Sequence, residues 1–408
     1  MRTATLSLLL VIATAACATG QEPGATTVYT DVTATHVPTA PSLHALDGVF
    51  VDVDGDGDLD VAVAVEGGVN RIYLNDGTGR LTWREGALGD REGDFEHVLS
   101  ADFNGDGHPD LIFVAEDTRE HAYFLGGPGG EFTDVSDRLP ARSEGNGLDV
   151  GDVNGDGLPD IVVGNSGSTR GGTWSGQNFL WLNDPDRPGY FIDATETHLP
   201  AIEDDTQDVT LADLDGDGDL DMVVANENPP NRLLLNDGSG HFTEHADRLE
   251  LLVPLETRQA HVFDATGDGH PDILFLNLTS NAGAWDKDPR MRLLVNDGTG
   301  HFRDETEGRL PAHTFSVWGG TPIDFDHDGD LDLVVGPIEV PGFNPLPVRA
   351  YRNDGSGHFT EVTDEVIPAE TAGRSWGMAV GDVDGDGIED LFIGGWGTQA
   401  RLLLGSRP

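Results

Sequence analysis

Short apolar runs rich in β-branched residues recur along the chain, each bounded by segments of Asp, Asn and Gly. The runs in LDVAVAV (59–65), LDMVVAN (220–226) and LDLVVGP (331–337) lack helical periodicity, so they predict strands rather than helices. Each run follows an acidic nonapeptide, and another short apolar segment, such as GVFVDVD (48–54), leads into it. The pattern therefore predicts acidic loops that each join two β-strands.

The acidic nonapeptide DVDGDGDLD (52–60) returns six more times, and the seven copies begin at residues 52, 102, 152, 213, 264, 324 and 382. The other copies read DFNGDGHPD, DVNGDGLPD, DLDGDGDLD, DATGDGHPD, DFDHDGDLD and DVDGDGIED. Their spacings of 50 to 61 residues are typical of a four-stranded propeller blade rather than of a helical solenoid. Each repeat is therefore predicted to form one blade of an all-β propeller.

The nonapeptide has the residue pattern of a calcium loop. Oxygen donors at the first, third, fifth and ninth places, with Gly at the sixth for a sharp turn, suit a hard cation such as Ca²⁺. An EF-hand would need a bidentate Glu at the twelfth place and a flanking helix on each side. The twelfth places here are apolar in every copy: Val63, Phe113, Val163, Val224, Phe275, Val335 and Ile393. The sequence therefore excludes EF-hands and favours metal loops between strands.

Turn motifs and the two ends of the chain complete the predicted blade. NDG turns at Asn75, Asn236, Asn296 and Asn353 are expected to join the third strand to the fourth, with Asn, Asp and Gly supplying positive φ angles. The segment VYTDVTATHVP (28–38) is similar to the fourth strand of later repeats, and the last repeat has no such strand of its own. The N-terminal strand is therefore expected to close the last blade, which removes the exposed sheet edges.

With the DxDGDGxxD loop and the NDGxGxF turn, the repeats resemble the FG-GAP or VCBS-type units of integrin α-chain propellers and of many secreted bacterial proteins. The resemblance implies a seven-bladed propeller with up to seven Ca²⁺ on one face. It implies ligands at the first, third, fifth and ninth places and at the carbonyl of the seventh. The residues at these places are Asp52, Asp54, Asp56, Asp58 and Asp60; Asp102, Asn104, Asp106, His108 and Asp110; Asp152, Asn154, Asp156, Leu158 and Asp160; Asp213, Asp215, Asp217, Asp219 and Asp221; Asp264, Thr266, Asp268, His270 and Asp272; Asp324, Asp326, Asp328, Asp330 and Asp332; and Asp382, Asp384, Asp386, Ile388 and Asp390.

Two loops depart from the family pattern. Thr266 at the third place of the fifth loop should weaken that site, and His327 replaces the usual Gly at the fourth place of the sixth.

The N-terminus has the form of an export signal. Residues 1–17 contain one Arg, an apolar run too short to span a membrane, and then small residues. Cys17, the only cysteine, lies where a lipoprotein would carry its lipidated cysteine, although cleavage by the general signal peptidase fits as well. Residues 18–27 are interpreted as a tether and residues 28–408 as the propeller. We expect an outer-membrane or cell-surface lipoprotein, or a secreted or periplasmic protein.

A formal net charge of −50, from 73 acidic and 23 basic side chains, argues against nucleic acid or an anionic membrane surface as a partner. Much of this charge lies in the loops, where the carboxylates would repel one another without cations. We therefore expect the metal-free protein to be less stable than the metal-bound protein.

Residues outside the repeat pattern are the candidates for ligand binding, because a scaffold of equal blades places its specificity in the connections that differ. On the face opposite the loops we expect a glycan or protein ligand to contact Trp174, Trp285, Trp318, Arg374, Trp376 and Trp396. Loop packing by these Trp residues is the alternative.

Catalysis has little direct support, because the chain has no nucleophile elbow, HExxH, P-loop or thiol nucleophile in the mature region. The alternative function is a carbohydrate-active enzyme of the polysaccharide lyase or sugar dehydratase kind, with His97, His261 and Arg374 as acid, base and carboxylate clamp. A structural surface protein without a specific ligand is the third interpretation.

Overall fold

The computed structural model describes residues 27–140, 143–167, 176–251, 255–279, 287–369, 371–374 and 377–407. Within these ranges the strands form seven antiparallel four-stranded units, which we call blades 1 to 7 in the order of their acidic loops. The chain begins with β1 (Tyr29–Asp31), which belongs to blade 7.

Each blade takes its strands from one stretch of sequence. Blades 1 to 3 contain β2 (Ala45–Val51), β3 (Asp60–Val69), β4 (Arg71–Leu74) and β5 (Thr82–Trp83); β6 (Glu92–Ala101), β7 (Asp110–Ala115), β8 (Ala122–Gly127) and β9 (Glu131–Asp134); and β10 (Gly145–Gly151), β11 (Asp160–Asn165), β12 (Phe179–Asn183) and β13 (Phe191–Asp193). Blades 4 and 5 contain β14 (Thr206–Ala212), β15 (Asp221–Asn226), β16 (Arg232–Asn236) and β17 (Phe242–Glu244); and, after the short β18 (Leu249–Glu250), β19 (Thr257–Phe263), β20 (Asp272–Asn277), β21 (Arg292–Asn296) and β22 (Phe302–Asp304). Blades 6 and 7 contain β23 (Ser316–Ile323), β24 (Asp332–Glu339), β26 (Arg349–Asn353) and β27 (Phe359–Glu361), with β25 (Asn344–Pro345) beside β24; and β28 (Met378–Gly381), β29 (Asp390–Ile393), β30 (Arg401–Gly405) and β1.

The chain ends meet in blade 7. Strand β1 pairs antiparallel with β30, with Tyr29 opposite Gly405 and Asp31 opposite Leu403. The innermost strands β2, β6, β10, β14, β19, β23 and β28 each contact the next one, and β28 contacts β2. The ring is therefore closed, and the predicted all-β propeller with an N-terminal closing strand is confirmed.

Seven apolar clusters lie between adjacent blades, and the cluster between blades 6 and 7 includes Tyr29 of the closing strand. Successive residues of the second strand face opposite neighbours. In β3, Val61 and Val63 pack toward blade 7, whereas Ala62 and Ala64 pack toward blade 2. Burial on both faces explains why these strands are continuous apolar runs and do not alternate with polar residues.

One-turn helices follow the outermost strand of several blades: α1 (Thr33–His36), α2 (Thr195–His198) and α4 (Thr363–Val366), with 3₁₀ turns at Ser136–Arg138 and Ala246–Arg248. The corresponding turn α3 (Thr306–Arg309) is distorted, because Glu307 and Gly308 have non-helical backbone angles. A hydroxyl in each α-turn returns to its own blade; for example, the Thr195 Oγ1 accepts a hydrogen bond from the Leu180 amide at 3.1 Å. No helix in the described ranges has the length and apolarity needed to cross a membrane.

The NDG turns differ from expectation in one detail. Positive φ angles occur at the glycines, such as Gly77 (75°) and Gly79 (75°), and not at Asn75 or Asp76. The prediction that Asn and Asp supply positive φ is therefore wrong. These two side chains instead accept and donate hydrogen bonds around the turn, as in the 2.5 Å bond from the Thr78 hydroxyl to Asp76.

Candidate metal loops and channel mouth

Each acidic loop is organised by the carboxylate of its first residue. The Asp52 Oδ1 accepts a hydrogen bond from the Gly55 amide at 2.8 Å, and its Oδ2 accepts one from the Gly57 amide at 3.1 Å. The bond to the sixth-place amide is present in all seven loops. Because the sixth residue is Gly with positive φ, the loop can wrap its amides around this carboxylate.

The ninth-place Asp connects the loop to the rest of the blade. The Asp60 Oδ2 accepts from the Val53 amide at 3.0 Å and its Oδ1 accepts from the Asn75 amide at 2.8 Å. This carboxylate is 1% exposed, and burial raises its pKa to about 6. The same cause raises the pKa of its counterparts to about 7 at Asp110, Asp160 and Asp390, to about 6 at Asp221 and Asp272, and to about 8 at Asp332.

The oxygens of several loops converge as a metal ion would require. In four loops the first, third and ninth carboxylates each place an oxygen within 4.8 Å of the others: Asp52, Asp54 and Asp60; Asp213, Asp215 and Asp221; Asp324, Asp326 and Asp332; and Asp382, Asp384 and Asp390. Within the described residues, one buried oxygen of each of Asp215, Asp326 and Asp332 has no hydrogen-bond partner. Such a donor set fits a hard divalent cation, so these acidic clusters could bind metal ions.

The other three loops have a neutral residue at the third place, namely Asn104, Asn154 or Thr266. In the fifth loop, the buried Thr266 hydroxyl has no hydrogen-bond partner in the described ranges. At the seventh place, the Asp58 side chain lies against the neighbouring turn, where a Cβ added to Gly77 would approach its carboxylate within 2.5 Å. The Asp58 side chain therefore contacts the turn, and the ligand role of the seventh-place carbonyl stays a prediction.

The opposite end of the ring holds a cavity of about 230 Å³ where the inner strands begin. Six inner strands carry a β-bulge six residues before their loop. The bulged residues all line this cavity: Leu46, Glu96, Asn146, Gln207, Arg258 and Trp318. The corresponding residue in blade 7, Trp376, lies outside the described residues. We call this cavity the channel mouth.

The channel mouth has two chemically different halves. Blades 1 and 2 contribute the carboxylates Glu66, Asp94, Glu96, Glu116 and Asp117. Burial raises the pKa of Glu66 to about 7 and holds the pKa of Glu96 well above its usual range.

Blades 6 and 7 contribute the aromatic and cationic half: Trp318, Phe343, Arg374 and Trp396. The Arg374 guanidinium carbon lies 3.8 Å from the Trp396 ring centroid and 4.2 Å from that of Trp318. Burial lowers the pKa of Arg374 to about 10. Arg374 is only 6% exposed, and stacking on both indoles offsets part of the cost of removing its guanidinium from water.

The structure thus brings three of the predicted ligand residues together, namely Trp318, Arg374 and Trp396. The others, Trp174, Trp285 and Trp376, lie outside the described residues, as does Cys17. Sequence reasoning missed the acidic half of the mouth. Counting six residues back from each loop would have found Glu96, because the bulge register is the same in six described blades.

The residues of the alternative catalytic set do not share this cavity. His97 Nε2 lies 3.2 Å from the Asp47 carboxylate, and burial lowers the pKa of His261 to about 4. Neither histidine lines the mouth with Arg374. The described geometry therefore does not assemble the proposed acid, base and clamp.

The chain is similar to known repeat proteins. A family model described as FG-GAP-like repeat matches residues 52–113, 102–163, 169–224, 213–275, 277–335 and 342–393. Cartilage acidic protein 1 of Xenopus tropicalis is 30% identical over 194 residues, which are 45% of this chain and 28% of that protein. The human protein of that name is 27% identical over 246 residues, 56% of this chain and 35% of that protein. The chain therefore covers well under two thirds of these relatives.

Two solved structures share the fold at low sequence identity. BBS1N, solved in complex with ARL6DN and soaked with mercury, has a TM-score of 0.56 at 11% identity, covering 93% of this chain and 98% of that chain. YCF48 bound to D1 peptide has a TM-score of 0.53 at 10% identity, covering 93% and 96%. The repeat matches extend over more than half of the sequence, and the chain belongs to the FG-GAP-like repeat family.

Proposed function

We propose that this protein is an exported, calcium-stabilised recognition module that binds an extracellular protein at the channel mouth. The observation that carries the proposal is the bulge position. It places a different residue from each of six described blades around one cavity, whereas the acidic loops at the other end of the strands repeat one chemistry. Variation on a fixed scaffold is typical of a binding surface.

The aromatic and cationic half of the mouth supports a protein ligand. Trp and Arg residues dominate the binding energy of protein interfaces, and Arg374 is held in a fixed position between Trp318 and Trp396. A prepositioned side chain loses little conformational entropy when a partner binds. Proteins of the same fold have been solved with ARL6DN and with a D1 peptide, so a protein partner fits this architecture.

The loops would contribute stability and not recognition. Ca²⁺ would neutralise the loop carboxylates, which in four loops converge within 4.8 Å, and would hold the first two strands of a blade together. Outside the cell, Ca²⁺ at millimolar concentration would occupy even loops with low affinity for the ion. Cys17 would serve as a lipid anchor if the signal is of the lipoprotein type.

A binding screen tests the proposal. Residues 18–408 are presented to panels of extracellular proteins and glycans, with Ca²⁺ and with a chelator. We expect saturable protein binding that Trp396→Ala abolishes and that Trp83→Ala retains, because Trp83 lies on the outermost strand of blade 1. Equal binding by Trp396→Ala would contradict the mouth as the site. Binding to glycans alone would favour the glycan alternative, and turnover of a polysaccharide would favour the enzyme.

A further inference from the structure

Three carboxylates of blade 2 meet at the channel mouth, at the end of the strands away from the acidic loops. Asp94 lies in β6, and Glu116 and Asp117 directly follow β7. Each offers an oxygen within 4.8 Å of the other two. None of these residues belongs to an acidic nonapeptide.

Strand pairing fixes the positions of this cluster. The Glu116 amide donates to the Asp94 carbonyl at 3.0 Å, and the Asp117 amide donates to the Asp94 Oδ2 at 3.0 Å. From blade 3, the Asn146 Nδ2 donates to the Glu116 Oε1 at 3.3 Å. The three carboxylates are therefore held close together by the backbone of one blade and by a neighbour.

A fourth carboxylate points to a ligand in this place. Glu96 is the bulged residue of β6, is 8% exposed and lines the same cavity. In the described part of the chain its side chain has no hydrogen bond or ion pair. Burying a carboxylate without a donor is costly unless a cation compensates it.

The two arginines of the mouth are close enough to Glu96 to lower its pKa or to have their own pKa raised by it, but they make their hydrogen bonds to other groups. Arg258 donates to Gln207 and to Glu227, the latter at 3.2 Å. Arg374 stacks between two indoles and donates to the Phe343 carbonyl at 3.4 Å. Neither guanidinium is hydrogen-bonded to Glu96.

We propose that Asp94, Glu116 and Asp117 bind one hard divalent cation of the Ca²⁺ class, with Glu96 as a further ligand. Calcium takes carboxylate oxygens at about 2.3–2.6 Å, so oxygens on opposite sides of one ion lie up to about 5 Å apart. The three oxygens all lie within 4.8 Å of one another, which is compatible with a single ion. The site is additional to the seven loops and does not depend on which partner the mouth binds.

Counting bound calcium in the full-length protein tests the site. Equilibrium dialysis against Ca²⁺, followed by elemental analysis, gives the number of ions per chain. We expect Glu116→Gln/Asp117→Asn to bind one ion fewer than the wild type. The matched control Glu196→Gln/Asp364→Asn changes the same charge at exposed positions far from the cavity and should bind as many ions as the wild type. An unchanged ion count in the mouth variant would overturn the proposal.

A second measurement keeps the test independent of folding defects. Tb³⁺ as a calcium probe can be excited through Trp318 and Trp396, which line the same cavity. Titration of the Trp-sensitised emission gives the affinity for Tb³⁺. We expect Asp117→Asn, at an exposed position, to lower this affinity at least tenfold, and Glu96→Gln to do the same. Wild-type affinity in both variants would exclude the site, whatever the screen for protein partners shows.

Discussion

The side-chain amide of Asn75 in blade 1 donates a 2.6 Å hydrogen bond to the backbone carbonyl of Val383 in the acidic loop of blade 7. The same amide donates to the Leu59 carbonyl of its own loop at 3.0 Å. One turn residue thus joins its own loop to the loop of the preceding blade. Four other blades repeat the arrangement, with pairs Asn183 and Phe103, Asn236 and Val153, Asn296 and Leu214, and Asn353 and Ala265. The turn asparagine therefore fastens adjacent blades to one another.

Replacing Asn75 should loosen the closure of the ring. Asn75→Ala leaves the carbonyls of Val383 and Leu59 without this donor, and a buried unsatisfied polar group costs about 1–3 kcal/mol. We expect the free energy of unfolding in urea to fall by about 2 kcal/mol. Asn344→Ala, which removes only a 3.3 Å bond to Glu339 at an exposed site, is the control and should change stability by less than about 0.5 kcal/mol. Equal effects of the two variants would contradict the fastening role.

The sequence predicted the architecture because its signals are periodic. The repeats are visible in seven acidic nonapeptides, in the apolar second strands and in the additional N-terminal strand. This repetition identifies a blade, whereas the β-propensity of a single segment would not. The fastening role of Asn75 was not predictable, because the bond partner lies 308 residues away and is a backbone carbonyl. The sequence identifies Asn75 as a turn residue, whereas only the folded ring shows that its side-chain amide contacts Val383.

His327 should be a strained residue in the sixth loop. It adopts a φ of 61° at the fourth place, where the other loops have Gly, for example Gly385 at 74°. Left-handed backbone costs a non-glycine residue about 1–2 kcal/mol, and the added entropy of Gly offsets part of this. His327→Gly should therefore raise the free energy of unfolding by about 0.5–1 kcal/mol in urea titrations with Ca²⁺ present. The reciprocal variant Gly385→His should lower it; a gain in stability there would refute the strain argument.

Two acidic residues of the first loop should respond differently to metal removal. Asp54→Asn keeps an acceptor for the Asp56 amide but removes a charge, so it should lower stability in Ca²⁺ and slightly raise it in chelator. Asp60→Ala removes acceptors from the Val53 and Asn75 amides, so it should destabilise the protein by about 2–3 kcal/mol in chelator, and by more in Ca²⁺, where a ligand is lost as well. Chelator-dependent melting of both variants beside the wild type measures the difference. If Asp60→Ala matched the wild type in chelator, the ninth residue would act only as a ligand.

The mouth was predictable in part. Trp318, Arg374 and Trp396 stood out because they break the repeat, whereas Glu96 and Asp94 did not, because acidic residues are common throughout a chain with 73 of them. What separates Glu96 from the other acidic residues is the bulge in β6, which depends on how β6 pairs with β7. The bulge recurs six residues before the loop in six described blades, so its position becomes clear only when the blades are compared with one another.

Acid should destabilise the protein through His121, whose burial lowers its pKa to about 4 from the usual 6.5. The His121 Nδ1 accepts from the Ala115 amide at 3.0 Å, and Nε2 lies 3.0 Å from the Ser143 hydroxyl, so the folded state holds the neutral ring. The depressed pKa has no effect on stability above pH 6.5. As pH falls from 6.5 toward 4, the unfolded chain takes up a proton that the folded chain does not, and stability is lost.

At pH 5 this residue alone should cost the wild type about 2 kcal/mol relative to pH 7.5. His121→Gln cannot take up that proton. The stability deficit of His121→Gln relative to the wild type should therefore shrink by the same amount as the pH is lowered, because all other titratable groups are the same in both proteins. Urea unfolding of the wild type and of His121→Gln at a series of pH values measures the difference. A deficit of His121→Gln that stays constant between pH 7.5 and 5 would show that the buried ring is protonated equally in both states.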